Sequence, residues 1–134
     1  MYSNASDREG RTAAEAVEKD IKAMREHNPH LKVTEGDALP TGDKKTALVK
    51  YFSGDTFGNY EAAAYVIEKN VVANIILTAR NKDEYDALLP AFRKLVSSYR
   101  FVSDDPGKLD LAALAKAERK RNEEASLSTG HPSK

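Results

Sequence analysis

Cysteine is absent from the 134-residue chain, and so is tryptophan. Without cysteine the chain forms no disulfide, holds no metal through thiolates and has no cysteine nucleophile. Net charge is absent too, because 21 lysine and arginine residues balance 21 aspartate and glutamate residues. A balanced chain has no general electrostatic attraction for nucleic acid or for an anionic membrane surface. We therefore expect neither as a partner, and no motif in the sequence indicates a cofactor.

Long apolar runs are also missing. The longest, VVANIIL, is interrupted by Asn74 and is far shorter than the roughly 20 apolar residues of a membrane span. The N-terminal MYSNASDREG has neither the basic nor the apolar region of a signal peptide. As written, the chain is predicted to be cytoplasmic; the alternative is a periplasmic or exported protein, if the N-terminus is truncated.

Two segments have the periodicity of amphipathic helices. The first covers about residues 12 to 27, where Thr12 and Glu15 form a capping-box pattern ahead of an apolar stripe. The second lies within residues 81 to 101, with Asn81 as its predicted cap. Pro90 interrupts this second segment, and proline inside a helix removes a hydrogen bond. We therefore predict that the main helix begins near Pro90, after a looser turn.

Three runs indicate strands, TALVKYF, YEAAAYVIE and VVANIILTA, and a shorter one is predicted at residues 31 to 35. The last two long runs are apolar on both alternating faces, so each face of the sheet needs cover. The two-residue link Lys69-Asn70 between them indicates a hairpin. The predicted fold class is α+β, an antiparallel β-sheet flanked by helices.

The chain length favours a single folded domain, which we place at residues 1–103. Residues 104–126 are predicted to form a linker and a C-terminal helix, whose short apolar face includes Leu111 and Leu114. These two leucines are candidate partner contacts. Residues 127–134 are predicted to be a disordered tail.

The stretch SGDTFGN, residues 53–59, has the composition of either a ligand cradle or a turn. A phosphate cradle needs a helix after the glycine-rich loop, whereas here a strand follows. We therefore predict a turn, in which Gly54 and Gly58 adopt unusual backbone angles and Asp55 bonds locally. Phe57 and Asp55 are candidate partner contacts, although a phenylalanine that folds back over the sheet is the commoner arrangement.

No residues are predicted to be catalytic or to bind metal. His27 and His30 have an H-x-x-H spacing, but Pro29 breaks the helix between them, and only Glu26 or Asp37 lies near enough in the sequence to be a third ligand. Serine or lysine catalysis would need a neighbouring base, and none is placed to serve. We therefore do not expect an enzyme.

The segment from KTALVKYF to LLPAFRKLVSSYRF resembles the C-terminal half of the PsbP-like superfamily, and RTAAEAVEKDIKAMRE lies where that family has a helix. The resemblance covers about residues 2 to 103. It implies an α/β/α sandwich in a family that contains bacterial exported proteins and lipoproteins, and whose understood members act by protein contact. Several strands precede the first helix in that family. Here they are lacking, and MYSNAS resembles the end of the last one.

The leading hypothesis is a non-enzymatic protein-binding or assembly domain whose partner is unknown. The alternative is a small-molecule or metal carrier, with a ligand held between sheet and helix near Tyr51, Tyr65 and Tyr99. A third hypothesis is a homodimer that pairs the edges of an incomplete sheet.

Overall fold

A computed structural model of the chain describes residues 1–102, together with residues 116, 119–121 and 123. The chain divides into two compact units, Met1–Phe101 and Val102–Lys134. In the second unit, residues 116, 119–121 and 123 are helical, whereas Val102 is in neither a helix nor a strand. Leu111, Leu114 and the predicted tail lie outside the described residues. None of the helices described is long and apolar enough to cross a membrane.

The first unit has six strands and two helices. In chain order they are β1 (Tyr2–Asp7), α1 (Ala13–His27), β2 (Lys32–Glu35), β3 (Leu39–Pro40), β4 (Thr46–Ser53), β5 (Tyr60–Ile67), β6 (Val71–Ala79) and α2 (Lys82–Ser98). The strands pair in the order β1-β6-β5-β4-β2, and β3 pairs with β4. Every strand pair is antiparallel. Helix α1 connects strands at opposite edges of the sheet.

The two helices pack on opposite faces of the sheet, so the unit has three layers. The larger core lies under α2; its buried members are Ala47, Val49, Ala62, Ala64, Val66, Ile75, Leu77, Ala79, Tyr85, Phe92 and Val96. The second core lies under α1; its buried members are Val17, Ile21, Leu31, Phe52, Ala63, Tyr65 and Val72. The predicted class, an antiparallel sheet flanked by helices, is confirmed.

Helix α1 covers its face of the sheet only in part. Ala63 and Tyr65 of β5 are buried beneath it. In contrast, Ile76 of β6 is half-buried, Thr78 is exposed, and all six residues of β1 are exposed. Within the part of the chain that the structure describes, the cover over the apolar strands is therefore complete over β5 and incomplete toward β1.

Both predicted helix caps are present. The Thr12 hydroxyl accepts from the backbone N–H of Glu15 at 3.2 Å, and the Glu15 carboxylate accepts from the N–H of Thr12 at 3.0 Å. At the second helix, the Asn81 side chain accepts from the N–H of Glu84 at 2.8 Å. These bonds satisfy backbone donors that a helix N-terminus leaves without partners.

The prediction that the main part of the second helix begins near Pro90 is wrong. Helix α2 is continuous from Lys82 to Ser98 with Pro90 inside it. Pro90 and Asp86 are both exposed. The Asp86 carbonyl, which loses its helical donor because proline has no N–H, can therefore bond to water. The cost of the proline is smaller on this face than it would be in the core.

Candidate functional site

Strand β1 forms one edge of the sheet and is its most accessible strand. Among the described residues it pairs with β6 alone, in a register that places Asn4 opposite Asn74. All six of its residues are exposed, and Met1 and Tyr2 are each 51% exposed. An edge strand presents a row of backbone donors and acceptors that another strand can bond.

The opposite edge of the sheet differs in length and charge. Strand β2 has four residues, of which Lys32 and Glu35 are charged. Short strands and charged side chains are the usual means by which proteins protect sheet edges from further pairing. Strand β1 has six residues, and Asp7 at its end is its single charged residue. Among the described residues, the sheet therefore has one short, charged edge and one longer edge with a single charged residue.

A hollow flanks β1 on each face of the sheet. On the α2 side, a hollow of about 360 Å³ is lined by Ala5, Ile75 and Leu95, among others. Leu95 is 40% exposed there. The small side chains of Ser3 and Ala5 leave this space between β1 and α2. An apolar hollow beside an edge strand is a suitable place for side chains of a bound partner.

On the α1 side, a groove of about 450 Å³ runs between β1 and α1. Among the residues that line it, the Tyr65 hydroxyl donates to Oδ2 of Asp20 at 2.7 Å, and the Asn74 amide donates to Oδ1 of Asn4 at 2.8 Å. Burial, and then the bond to Asp20, raise the pKa of Tyr65, so its hydroxyl stays protonated. Throughout the described part of the chain, every buried side-chain nitrogen or oxygen has a hydrogen-bond partner.

A second polar group lies near the end of β1. We call it the Glu68 cluster, and it consists of Thr41, Asp43, Lys45, Glu68 and Tyr99. The Glu68 side chain is 4% exposed, and its carboxylate accepts from Lys45 Nζ at 2.5 Å and from the Tyr99 hydroxyl at 2.6 Å. Lys45 also pairs with Asp43 at 3.1 Å. The cluster joins the β3–β4 turn, the β5–β6 turn and the end of α2.

Close backbone packing holds the β3–β4 turn against α2. The N–H of Gly42 donates to the carbonyl of Tyr99 at 2.9 Å. A Cβ atom at position 42 would lie 2.9 Å from the Ser97 carbonyl oxygen. Only glycine allows this approach without a shift of the backbone. The turn therefore brings Asp43 and Lys45 to the end of α2.

The contacts of the Glu68 cluster hold Lys45 and Tyr99 in the forms they have at neutral pH. Burial opposes the positive charge of Lys45, but bonds to Glu68 and Asp43 outweigh it and raise the lysine pKa. Burial and the bond to Glu68 raise the pKa of Tyr99. The Lys45 amine and the Tyr99 hydroxyl therefore stay protonated at neutral pH.

Asp43 is expected to make the free energy of unfolding depend on pH in the acidic range. Burial alone would raise its pKa, but bonds from the Thr41 hydroxyl, the Phe101 N–H and Lys45 outweigh burial and lower it from 3.8 to about 2. A carboxyl group whose pKa is lowered by folding stabilises the protein above its unfolded pKa. We expect this stabilisation to be lost as the pH falls from about 4 to about 2.

Urea unfolding at a series of pH values tests this expectation against Asp43→Asn, which cannot ionise. The variant should be less stable than the wild type at pH 5, and the difference should shrink toward pH 2. A difference that stays the same at both pH values would contradict a role for the Asp43 charge.

The stretch at residues 53–59 is a turn, as predicted. Gly54 and Gly58 have φ values of 78° and 75°, in the left-handed region that favours glycine. Oδ1 of Asp55 accepts from the N–H groups of Phe57 and Asn59 at 3.0 and 2.8 Å. These bonds close the turn internally, so Asp55 has a local structural role.

Phe57 does not fold back over the sheet, because its side chain is 85% exposed at the tip of the turn. Its role as a partner contact stays a prediction.

His27 and His30 are exposed at and just after the C-terminus of α1. Among the described residues, no group of three potential metal ligands is close enough together to hold an ion.

The three tyrosines that we expected near one ligand do not share a site. Tyr65 packs in the core beneath α1, whereas Tyr51 and Tyr99 pack beneath α2. The sheet lies between them, so the expectation of a common site is wrong. The strand register explains this. Tyr51 of β4 is opposite Ala62 of β5, so these two side chains are on the same face of the sheet. Tyr65 lies three positions after Ala62 along β5, and its side chain is therefore on the other face.

Sequence reasoning missed the Glu68 cluster entirely. Its signals are the polar turn TGDKK and a glutamate that directly follows a buried strand. Neither signal identifies the other residues, because Glu68 lies 23 residues from Lys45 and 31 from Tyr99.

A scan of family models and searches of curated proteins and of solved structures found no match to the chain.

Proposed function

We propose that the chain is a non-enzymatic domain that binds protein through the outer edge of β1. One observation carries the proposal: β1 pairs with β6 alone among the described residues, while its six residues are exposed. An extended segment that adds to such an edge gains a row of main-chain hydrogen bonds. The hollows on the two faces of β1 give alternate side chains of that segment places to pack.

The chemistry of the polar groups supports binding over catalysis. The pKa of Asp43 is lowered, and those of Lys45, Tyr65 and Tyr99 are raised. Each group is therefore held in its neutral-pH form, whereas an acid or base catalyst must change its form during turnover. The proposed relationship to the PsbP-like superfamily, whose understood members act by protein contact, is consistent with this.

The alternative of a small-molecule carrier rests on the groove beside Tyr65. Polar side chains that line it bond to one another, Tyr65 to Asp20 and Asn74 to Asn4. A ligand would have to replace these bonds before it gained new ones. The groove therefore supports this function less than the edge of β1 supports protein binding.

Selection of extended peptides from a random display library tests the proposal. The wild-type chain, immobilised as widely spaced single copies so that two β1 edges cannot meet, should retain peptides that Ala5→Pro loses by at least about tenfold, because proline removes a backbone donor and blocks approach to the strand. Ala5→Ser keeps the donor and should bind like the wild type. Equal retention by Ala5→Pro would contradict the proposal. So would turnover of a substrate that depends on a residue of the Glu68 cluster.

A further inference from the structure

We infer that the partner of the β1 edge is a second copy of this chain, and that two β1 strands pair antiparallel about a two-fold axis at Ala5. This inference rests on the proposed function, since it uses the same edge. The pairing would join two sheets into one continuous sheet. A two-fold interface needs a surface that is complementary to itself, and the backbone of β1 meets that condition.

The hydrogen bonds to β6 fix which backbone groups of β1 point outward. The N–H of Arg8 donates to the carbonyl of Asn70 at 3.0 Å, and Asp7 is opposite Val71 in the register. Bonded and non-bonded pairs alternate along an antiparallel ladder. The backbone groups of Tyr2, Asn4 and Ser6 therefore face β6, and those of Ser3, Ala5 and Asp7 face outward.

One register uses all three outward-facing residues. When two copies of β1 run antiparallel with Ala5 opposite Ala5, Ser3 of each copy is opposite Asp7 of the other, and Asn4 is opposite Ser6. A shift of the register by two residues places at least one of these three residues opposite a residue that lies outside β1. The central register is thus the best self-match that β1 offers.

Charge and size also suit a second copy. Asp7 is the single charged residue of β1, and in this register it is opposite Ser3, so no like charges oppose each other. Like charges directly opposite on neighbouring strands are destabilising. Ala5 at the axis and Ser3 beside it are small and allow close approach. On the α2 side, the added strand lies next to the half-exposed Leu95 and the hollow it lines.

Single cysteines test the register, because the chain has none of its own. Across a bonded antiparallel pair the Cα atoms are about 5.5 Å apart, within the range that a disulfide spans. Ala5→Cys is therefore expected to form a disulfide-linked dimer under mild oxidation. Ser3→Cys and Asp7→Cys should not do so alone, because each lies four residues, about 13 Å, from its own equivalent. Mixed together, these two variants should form the crossed disulfide.

Ala5→Cys is expected to form the disulfide-linked dimer at least about tenfold faster than Ser3→Cys or Asp7→Cys alone. The wild type is expected to have a dimeric mass in native conditions at micromolar concentration. All three positions are exposed, and circular dichroism confirms that each variant is folded. A monomeric wild type, or cross-linking of Ser3→Cys alone as fast as Ala5→Cys, would overturn the inference. If the chain is monomeric but peptides still bind at β1, the dimer fails and the proposed function stands. If peptides also fail to bind, both fail.

Discussion

Replacement of Glu68 by alanine is expected to lower the free energy of unfolding by about 2–3 kcal/mol. The substitution removes the acceptor for both Lys45 and the Tyr99 hydroxyl. The loss of one partner from a fully buried ion pair costs about 3–5 kcal/mol. The cost here is smaller because the Lys45 side chain is 36% exposed and keeps its bond to Asp43.

Urea unfolding of Glu68→Ala, followed by circular dichroism, measures this effect. Glu35→Ala is the matched control, because Glu35 also pairs with a lysine but is 81% exposed. An exposed pair contributes at most about 1 kcal/mol, so the control should change little. Glu68→Gln retains one acceptor oxygen and should fall between the two. Equal stability of Glu68→Ala and Glu35→Ala would show that the Glu68 cluster does not tie the turns to α2.

Phe92→Ala is expected to cost more, about 3–5 kcal/mol. Phe92 is 1% exposed and packs in the core beneath α2, which also contains Leu77 and Val66. The substitution leaves a cavity between α2 and the sheet, and the surrounding strands cannot collapse into it without breaking their ladder. Because α2 covers this face of the sheet, its docking depends on such contacts.

The control for Phe92→Ala is Leu95→Ala in the same helix. Leu95 is 40% exposed, so its truncation should cost about 1 kcal/mol or less. The chain has no tryptophan, and far-ultraviolet circular dichroism is therefore the suitable measure of unfolding. If the two variants lose equal stability, the assignment of Phe92 to the centre of the core is incorrect.

Alternation in the strands predicted the architecture well. Ala47 and Val49 on one face, and the apolar residues on both faces of β5, required a helix layer on each side, and the structure has both. The caps at Thr12 and Asn81 were also predicted correctly, because a cap depends on residues only three positions apart in the sequence. Local patterns such as these are complete within a short window of sequence.

Features that depend on distant residues were not predictable in the same way. The N–H of Phe101 bonds to Asp43 across 58 residues, and nothing in either segment indicates the other. The continuity of α2 through Pro90 was missed because the cost of a proline in a helix depends on whether the carbonyl that it leaves without a donor can bond to water, and the presence of the proline alone does not state this. The accessible edge at β1 likewise depends on the strand order, which pairs residues 2–7 with residues 71–76.

This strand order has a consequence for how the chain folds. Of the sheet's strands, β1 is synthesised first, yet its partner β6 is synthesised last. The β4–β5–β6 meander can assemble through short connections, whereas β1 must close a loop of more than sixty residues. Contacts of such high sequence separation form slowly. We therefore expect β1, although it is made before the other strands of the sheet, to join the sheet after them and to remain available to neighbouring chains during that interval.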